Sequence, residues 1–197
     1  MNCEKAMDLL TEQIESCKRC ELWRTRNKPM IGDGCLNVKI MMIGEAPGYN
    51  EDLSGKAFVG KSGEILDVLL DFVNLSREDI YITNVLKCHP PSNHNPTPKE
   101  IQACISFLYE QIKILKPVLI ITLGKFASQT LFHKVKLPFS RISAIHGMIF
   151  EIQASYGNVN IVPLYHPSVA CYNPNMLEIL KNDFQNSVGK LFKGKIL

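Results

Sequence analysis

The sequence predicts an α/β fold, a three-layer sandwich around a central, mainly parallel sheet of four or five strands. Three observations carry that prediction. Short apolar runs alternate with stretches whose apolar residues recur at helical spacing. The connections between them are short, as in units that wind helices around a parallel sheet. The chain also shows no internal repeat, low-complexity tract or linker, so a single domain over 1–197 is expected, with an N-terminal arm of about thirty residues.

The elements follow in order. A first helix runs from Ala6 to Glu15 with Leu9, Leu10 and Ile14 on one face, and a basic stretch from Cys17 to Lys28 leads to the loop residues Pro29 and Gly32. Val38–Ile43 is a nearly continuous apolar run ending at Gly44, the pattern of a strand covered on both faces. A Gly-rich segment, Gly44–Gly63, precedes a helix that turns Ile65, Leu66, Leu69, Leu70 and Val73 inward. Ile80–Thr83 reads as a second strand, running into Asn84 and a proline-rich loop. Thr97, Pro98 and Glu100 spell a capping box with proline at the first helical position, and that helix stops before Pro117. Val118–Leu123 is a third strand, followed by Gly124 and a helix through Leu131. Gly147–Ile152 and Asn160–Leu164 read as further strands. Asn173-Pro174 opens a last helix carrying Leu177, Leu180, Phe184, Val188 and Leu191.

Composition narrows the function classes. With 46% hydrophobic and 21% charged residues in 197, fibrous and disordered readings are excluded. Twenty-two basic against nineteen acidic side chains leave +3, too mild to announce a nucleic-acid binder, although a local basic face needs no large net charge. The seven cysteines are an odd number and cannot all pair internally. The N-terminus has no apolar signal core, and no apolar run approaches the roughly 18 residues of a membrane helix. An intracellular, reducing location with no membrane contact is expected, where thiols more often bind metal or pack.

In open α/β sheets ligands bind beyond the carboxyl ends of the strands. The unusual residues sit there: Gly44, Glu45, Ala46, Pro47 and Gly48, then Glu51, Asp52, Gly55, Phe58 and Gly60; Asn84; and His166-Pro167-Ser168. Each alone has an ordinary explanation, as a loop carboxylate, a core phenylalanine, a turn cap or a satisfied histidine. Their joint placement favours a site. Five glycines between 44 and 63 suggest backbone wrapped closely around a phosphate or planar ring. A phosphate-binding P-loop is not expected, on the glycine spacing before Gly60-Lys61-Ser62.

The thiols form a second constellation. Cys17-Lys18-Arg19-Cys20 places two ligands at the tightest useful spacing, and no second such pair exists, so a zinc ribbon is not supported. The remaining ligands must come from Cys3, Cys35, Cys88, Cys104 and Cys171, of which Cys88 and Cys104 are brought close by a loop and the helix it feeds. Four thiolates suit zinc or an iron–sulfur cluster, and spacing does not choose between them.

Three segments carry a resemblance. Gly44-Glu-Ala-Pro-Gly-Tyr-Asn-Glu-Asp with Gly55-Lys-Ala-Phe-Val-Gly-Lys-Ser-Gly63, Tyr81-Ile-Thr-Asn-Val-Leu-Lys-Cys-His-Pro-Pro91, and His166-Pro-Ser with Asn173-Pro174 closely resemble the motifs of family 4 uracil-DNA glycosylases. The likeness extends from Cys17 to the final helix. It implies the fold of that family and a DNA-repair enzyme that flips a nucleotide, hydrolyses the N-glycosidic bond of uracil and leaves an abasic site. It implies a four-iron, four-sulfur cluster on Cys17, Cys20, Cys88 and Cys104. The uracil site would be lined by Gly44, Glu45, Ala46, Phe58, Asn84 and His166, with Phe58 stacking, Asn84 reading the base edge and His166 over O2. Cys3, Cys35 and Cys171 match no ligand position.

The chemistry suits these residue types. An amide donates to O4 and accepts from N3–H of uracil, whereas cytosine presents the reverse, and a mismatched donor pattern leaves buried groups unpaired. A donor from His166 stabilises charge developing on the departing base. Family 1 enzymes carry an aspartate where this chain has Ala46, and a tyrosine where it has Gly48. The water-handling role then falls to Glu45, to Glu51, or to substrate and cluster electrostatics, and the two carboxylates join His166 as catalytic candidates. DNA contact is expected from Lys18, Arg19, Arg24, Arg26 and Lys28, from Lys56 and Lys61, and from Ser168, in a monomer acting on uracil-containing DNA. His89 and His94 stand where the family suggests arginines, and Val169–Tyr172 replaces the family's leucine wedge. A non-catalytic, metal-stabilised nucleic-acid-binding module is the alternative, and it leaves Glu45, Asn84 and His166 unexplained. An iron–sulfur electron carrier lacks its usual compact cysteine run.

Overall fold

A computed structural model describes residues 2–193 of the chain, so Met1 and 194–197 of the expected domain lie outside the described residues. The described helices and strands are α1 (Cys3–Glu15), β1 (Asp33–Gly34), β2 (Ile40–Gly44), α2 (Tyr49–Ser54), α3 (Lys61–Phe72), β3 (Ile80–Asn84), α4 (Pro98–Leu115), β4 (Leu119–Leu123), α5 (Lys125–Lys134), α6 (Ile142–Ile145), β5 (Phe150–Ala154), β6 (Gly157–Leu164), α7 (Ser168–Tyr172), α8 (Asn175–Asn186) and α9 (Val188–Lys193). None of these helices is long and apolar enough to cross a membrane.

The strands form one sheet in the order β1-β3-β2-β4-β6-β5. Its four central strands are parallel, and an antiparallel strand closes each edge. The expected four or five strands are therefore corrected to six. The strand absent from the sequence reading is β1, whose two residues are too short to carry any periodicity. The expected strands Gly147–Ile152 and Asn160–Leu164 become the hairpin β5–β6, turned at Ser155 and Tyr156.

The central strands alternate sides, and both sides are covered. Ile40, Met42, Ile80, Ile82, Leu119 and Ile121 pack with Leu66, Leu69 and Leu70 of α3, and with Leu180, Phe184, Val188 and Leu191 of α8 and α9. Met41, Ile43, Tyr81 and Ile120 face the other way, against Met7, Leu10 and Ile14 of α1, Phe107 and Leu108 of α4, and Leu131 and Phe132 of α5. Burial on both faces is why these strands read as unbroken apolar runs.

The expected last helix is broken into α8 and α9. At Ser187 the side-chain hydroxyl and the backbone N–H both donate to the Asp183 carbonyl. That back-bonding bends a helix, and periodicity does not reveal it. The Thr97 box forms as expected, with Thr97 N–H donating to Glu100 Oε2 at 2.7 Å and Glu100 N–H to Thr97 Oγ1 at 3.3 Å. It starts the helix that presents Cys104. Thr97→Ala is expected to lower unfolding free energy by about 1 kcal/mol in chemical denaturation, with activity unchanged.

Candidate active site and thiol ring

The parallel strands β2, β3, β4 and β6 end at one rim, and the loops leaving that rim enclose a pocket of about 120 Å³. Its wall is Ala46, Gly48, Glu51, Phe58, Ser62, Asn84 and His166. Of the six expected uracil-site residues, Ala46, Phe58, Asn84 and His166 are in the wall, while Gly44 and Glu45 are not. Gly44 ends β2 behind the wall. A Cβ there would collide with Asn84 Oδ1 and come within 3.1 Å of the Phe58 ring, so only glycine lets the two approach. Glu45 is turned toward the Lys125 side. Burial raises its carboxyl above the usual range and Lys125 opposes that rise. Ser62, by contrast, joins the wall without any signal in the sequence that set it apart from other loop serines.

Asn84 is 2% exposed, and its Oδ1 is the only buried side-chain polar atom without a hydrogen-bond partner among the described residues. A buried acceptor left unmade costs about 1–3 kcal/mol. Such a group in a pocket wall is built for a ligand that donates.

His166 is held in one tautomer. The backbone N–H of Ser168 donates to Nδ1 at 3.2 Å, so Nδ1 bears the lone pair and Nε2 carries the proton. The Ser168 hydroxyl sits 2.8 Å from the same nitrogen. Ser168, expected on DNA, is thus engaged with His166. Burial lowers the His166 pKa to about 4, with the Glu51 charge pulling the other way. The ring is therefore a neutral Nε2–H donor near pH 7, and it stacks on Phe58 with centroids 5.6 Å apart.

Phe58 has a left-handed backbone, φ +53°, rare for an aromatic residue. Arg77 holds it there: Nη2 donates to Phe58 O at 2.8 Å, Nη1 to Ala57 O at 3.0 Å, and Nε to Asp67 at 2.6 Å. Gly63 supplies the room, since a Cβ there would collide with the Phe58 carbonyl. Arg77 escaped sequence reasoning because it lies beyond α3, fourteen residues past any motif glycine.

Gly55 does stand five residues before Gly60, so Gly55–Ser62 spells the P-loop letters and the spacing argument against it fails. Context excludes it instead. The run leaves a short helix rather than a strand, and the N–H groups of Val59 and Gly60 donate to Glu51 Oε1 at 2.8 and 3.1 Å. The loop's anion is the protein's own carboxylate. Neighbouring Asp52, 1% exposed, accepts from Asn27 N–H at 3.0 Å and fastens the arm to α2.

Cys17, Cys20, Cys88 and Cys104 line a single narrow cavity with Arg19, Trp23, Arg26, Lys87 and Phe107. Among the described residues no three His, Cys, Asp or Glu side chains close on a point as one bound ion requires. The donor set and its surroundings nevertheless suit an anionic thiolate centre. Arg26 Nη1 donates to Cys88 Sγ at 3.1 Å, and Lys87 N–H donates to Cys104 Sγ at 3.3 Å. Burial pushes the Cys104 thiol up to about 11 and raises Cys20 and Cys88. Cations beside buried sulfur favour its charged form. Cys35 and Cys171 are exposed, and Cys3 donates to Leu36 O, away from the ring.

Lys87 itself is 1% exposed. Nζ donates to Thr83 Oγ1 at 2.6 Å, Asn84 O at 2.7 Å and Gln111 Oε1 at 2.7 Å. Burial draws its pKa down to about 7, opposed by Cys104 and Cys88. Only the ammonium has three protons for three acceptors, so the network is built for the charged form.

The basic residues divide. Lys56 and Lys61 are exposed beside the pocket loop. Lys18 lies over Trp23, and Arg24 pairs with Glu21. Arg19 is spent on Ser106 and the Phe107 ring, and Arg26 on Cys88 and Glu15 O. His89 bonds Pro47 O at 2.8 Å, stitching two pocket loops together.

Residues 31–191 match the family model of the uracil DNA glycosylase superfamily. Among curated relatives, a type-4 uracil-DNA glycosylase of Archaeoglobus fulgidus is 38% identical over 187 residues, covering 95% of this chain and 94% of its own. One of Saccharolobus solfataricus is 39% identical, covering 91% and 83%, and one of Thermotoga maritima 36%, covering 86% and 85%.

His166 is expected to stay neutral with the proton on Nε2 from pH 8 down to below pH 6, read by imidazole nitrogen NMR, and to charge only near pH 4. As pH falls below the ordinary histidine value of 6.5, the unfolded chain takes up this proton first. The group therefore contributes stability fully above about 6.5 and loses it toward pH 4. Titration near 6.5 in the folded protein would contradict the buried donor.

Proposed function

The chain belongs to the uracil-DNA glycosylase superfamily, and from that premise we propose how its pocket excises uracil. It is a uracil-DNA glycosylase, a DNA-repair hydrolase of N-glycosyl bonds. The single observation that carries the reading of the site is the orphaned Asn84 Oδ1 in the pocket wall.

A base inside a duplex is out of reach, so the nucleotide turns out into the pocket. Uracil stacks on Phe58, an interaction worth about 1–3 kcal/mol. Asn84 Oδ1 accepts from N3–H, and its amide nitrogen donates to O4. Cytosine lacks the N3 proton and would leave Oδ1 unpaired. As the bond between N1 and C1′ breaks, its electron pair leaves with the base and charge collects on O2. The neutral Nε2–H of His166 donates to that oxygen. Water adds to C1′ and releases a proton, giving free uracil and an abasic sugar. Glu51 is the carboxylate at this centre: Oε1 is fixed by Val59 and Gly60, leaving Oε2 to face the sugar cation and its water. Glu45, outside the wall, is not assigned that part.

Cys17, Cys20, Cys88 and Cys104 hold a four-iron, four-sulfur cluster in this reading, with Arg26 and the Lys87 N–H as hydrogen-bond donors to sulfur. Bound there, the group serves as a structural cross-link between the arm, the loop after β3 and α4. Lys56, Lys61 and Lys18 meet the DNA backbone. Tyr172, 89% exposed at the end of the helix that begins two residues after His166, fills the gap left by the flipped base. The protein acts as a monomer in this reading.

The test is release of free uracil from uracil-containing DNA under single-turnover conditions. Asn84→Ala is expected to slow release about a hundredfold or more, with DNA affinity little changed. No release by the iron-loaded wild-type protein would sink the reading. In parallel, purified protein is expected to contain iron and acid-labile sulfide in equal amounts, both lost in Cys88→Ala. Zinc in their place would overturn the cluster.

A further inference from the structure

Lys87 belongs to neither the pocket wall nor the set of thiols, yet it touches both. Its ammonium donates to the Asn84 carbonyl at 2.7 Å, and its backbone N–H donates to Cys104 Sγ at 3.3 Å. Its carbonyl accepts from Met30 N–H at 2.7 Å, which brings in the N-terminal arm. The remaining acceptors on the ammonium are fixed in turn. Thr83 Oγ1 gives its own proton to Ile31 O at 2.7 Å, and Gln111 Nε2 donates to Ile31 O at 2.8 Å and Tyr81 Oη at 3.1 Å. Thr83, Gln111 and Lys87 are all at most 1% exposed, so water cannot replace any of these bonds.

Resting on the glycosylase reading above, we propose that Lys87 is the positioning residue that sets the base-reading amide of Asn84 and ties its setting to the thiol ring. The chain has left the sheet at Asn84: β3 ends there, and the next two amides, Val85 and Leu86, bond back to Gly44 O and Glu45 O. Those bonds fix the peptide after Asn84 from the β2 side. The Lys87 ammonium fixes the Asn84 carbonyl within the same turn. With both in place, the Asn84 side chain leaves the backbone in one direction, beside Gly44 and into the wall it shares with Phe58. Without the ammonium, three buried acceptors lose their donor, and the turn that carries the amide relaxes toward whatever satisfies them. A shift of about 1 Å in a group that orients the reacting base costs up to a hundredfold in rate.

The experiment compares wild type with Lys87→Met, which keeps most of the apolar stem and removes the side-chain donors, and with Thr83→Val, which removes one acceptor and leaves Lys87 in place. Three quantities are read on iron-loaded protein: the single-turnover excision rate, affinity for DNA carrying an abasic-site analogue, and amide hydrogen exchange. For Lys87→Met the rate is expected to fall roughly tenfold or more, with DNA affinity within about twofold. Exchange should rise at Val85 and Leu86 but not across α3 or α8. A rate loss that only tracks lost iron or globally raised exchange overturns the proposal, as does a wild-type rate. Should Lys87→Met not fold, Thr83→Val decides: excision about threefold slower or more at unchanged iron content supports positioning, and an unchanged rate refutes it. If wild-type protein releases no uracil, the failure belongs to the glycosylase reading, and the exchange pattern still decides whether Lys87 holds the Asn84 turn.

Discussion

A lysine ammonium cut off from water is stable only where hydrogen bonds and charge offset its lost hydration, and the end of β3 is organised around one such group. Lys87 finds three acceptors within 2.7 Å and two cysteines nearby that favour its charge. Because the acceptors come from β3 and α4, and Ile31 of the arm bonds both Thr83 and Gln111, the network fixes three segments against one another. The same turn carries Asn84 on one side and Cys88 on the other. A packed apolar turn could hold the backbone, but it would not specify a single direction for the Asn84 amide, whose Oδ1 has no partner in the protein.

The pocket is built from groups whose usual partners have been withheld or redirected. Asn84 Oδ1 has none. His166 keeps its proton on the nitrogen that faces away from Ser168 and stays uncharged at neutral pH. Glu51 spends one oxygen on its own loop, so the glycine-rich segment that could have cradled a phosphate instead presents a fixed carboxylate. Phe58 is kept in a costly backbone conformation by Arg77. Strain and unmet hydrogen bonding gather at one rim of the sheet, where a ligand recovers part of their cost.

Most of the layered fold was legible in the sequence because both faces of the central strands are buried, which turns them into unbroken apolar runs. The capping box at Thr97 was legible because its letters and its hydrogen bonds coincide. The edge strand β1 was not, since two residues have no period, and the break at Ser187 was not, since one hydroxyl makes it. At the site, strand ends pointed to Asn84 and His166, and the motif letters to Phe58. Glu45 lies outside the pocket wall, since adjacency to a motif glycine says nothing about which side of the rim a side chain takes. Arg77, Ser62 and Lys87 act through contacts across the fold, which no local pattern encodes.

In the proposed reading the Asn84 amide accepts a proton that uracil has and cytosine lacks. Competition by the free bases measures that directly, with excision from uracil-containing DNA as the reporter. Free uracil is expected to inhibit the wild-type protein competitively, and free cytosine at the same concentration to leave it unaffected. Equal inhibition by the two bases would contradict the account.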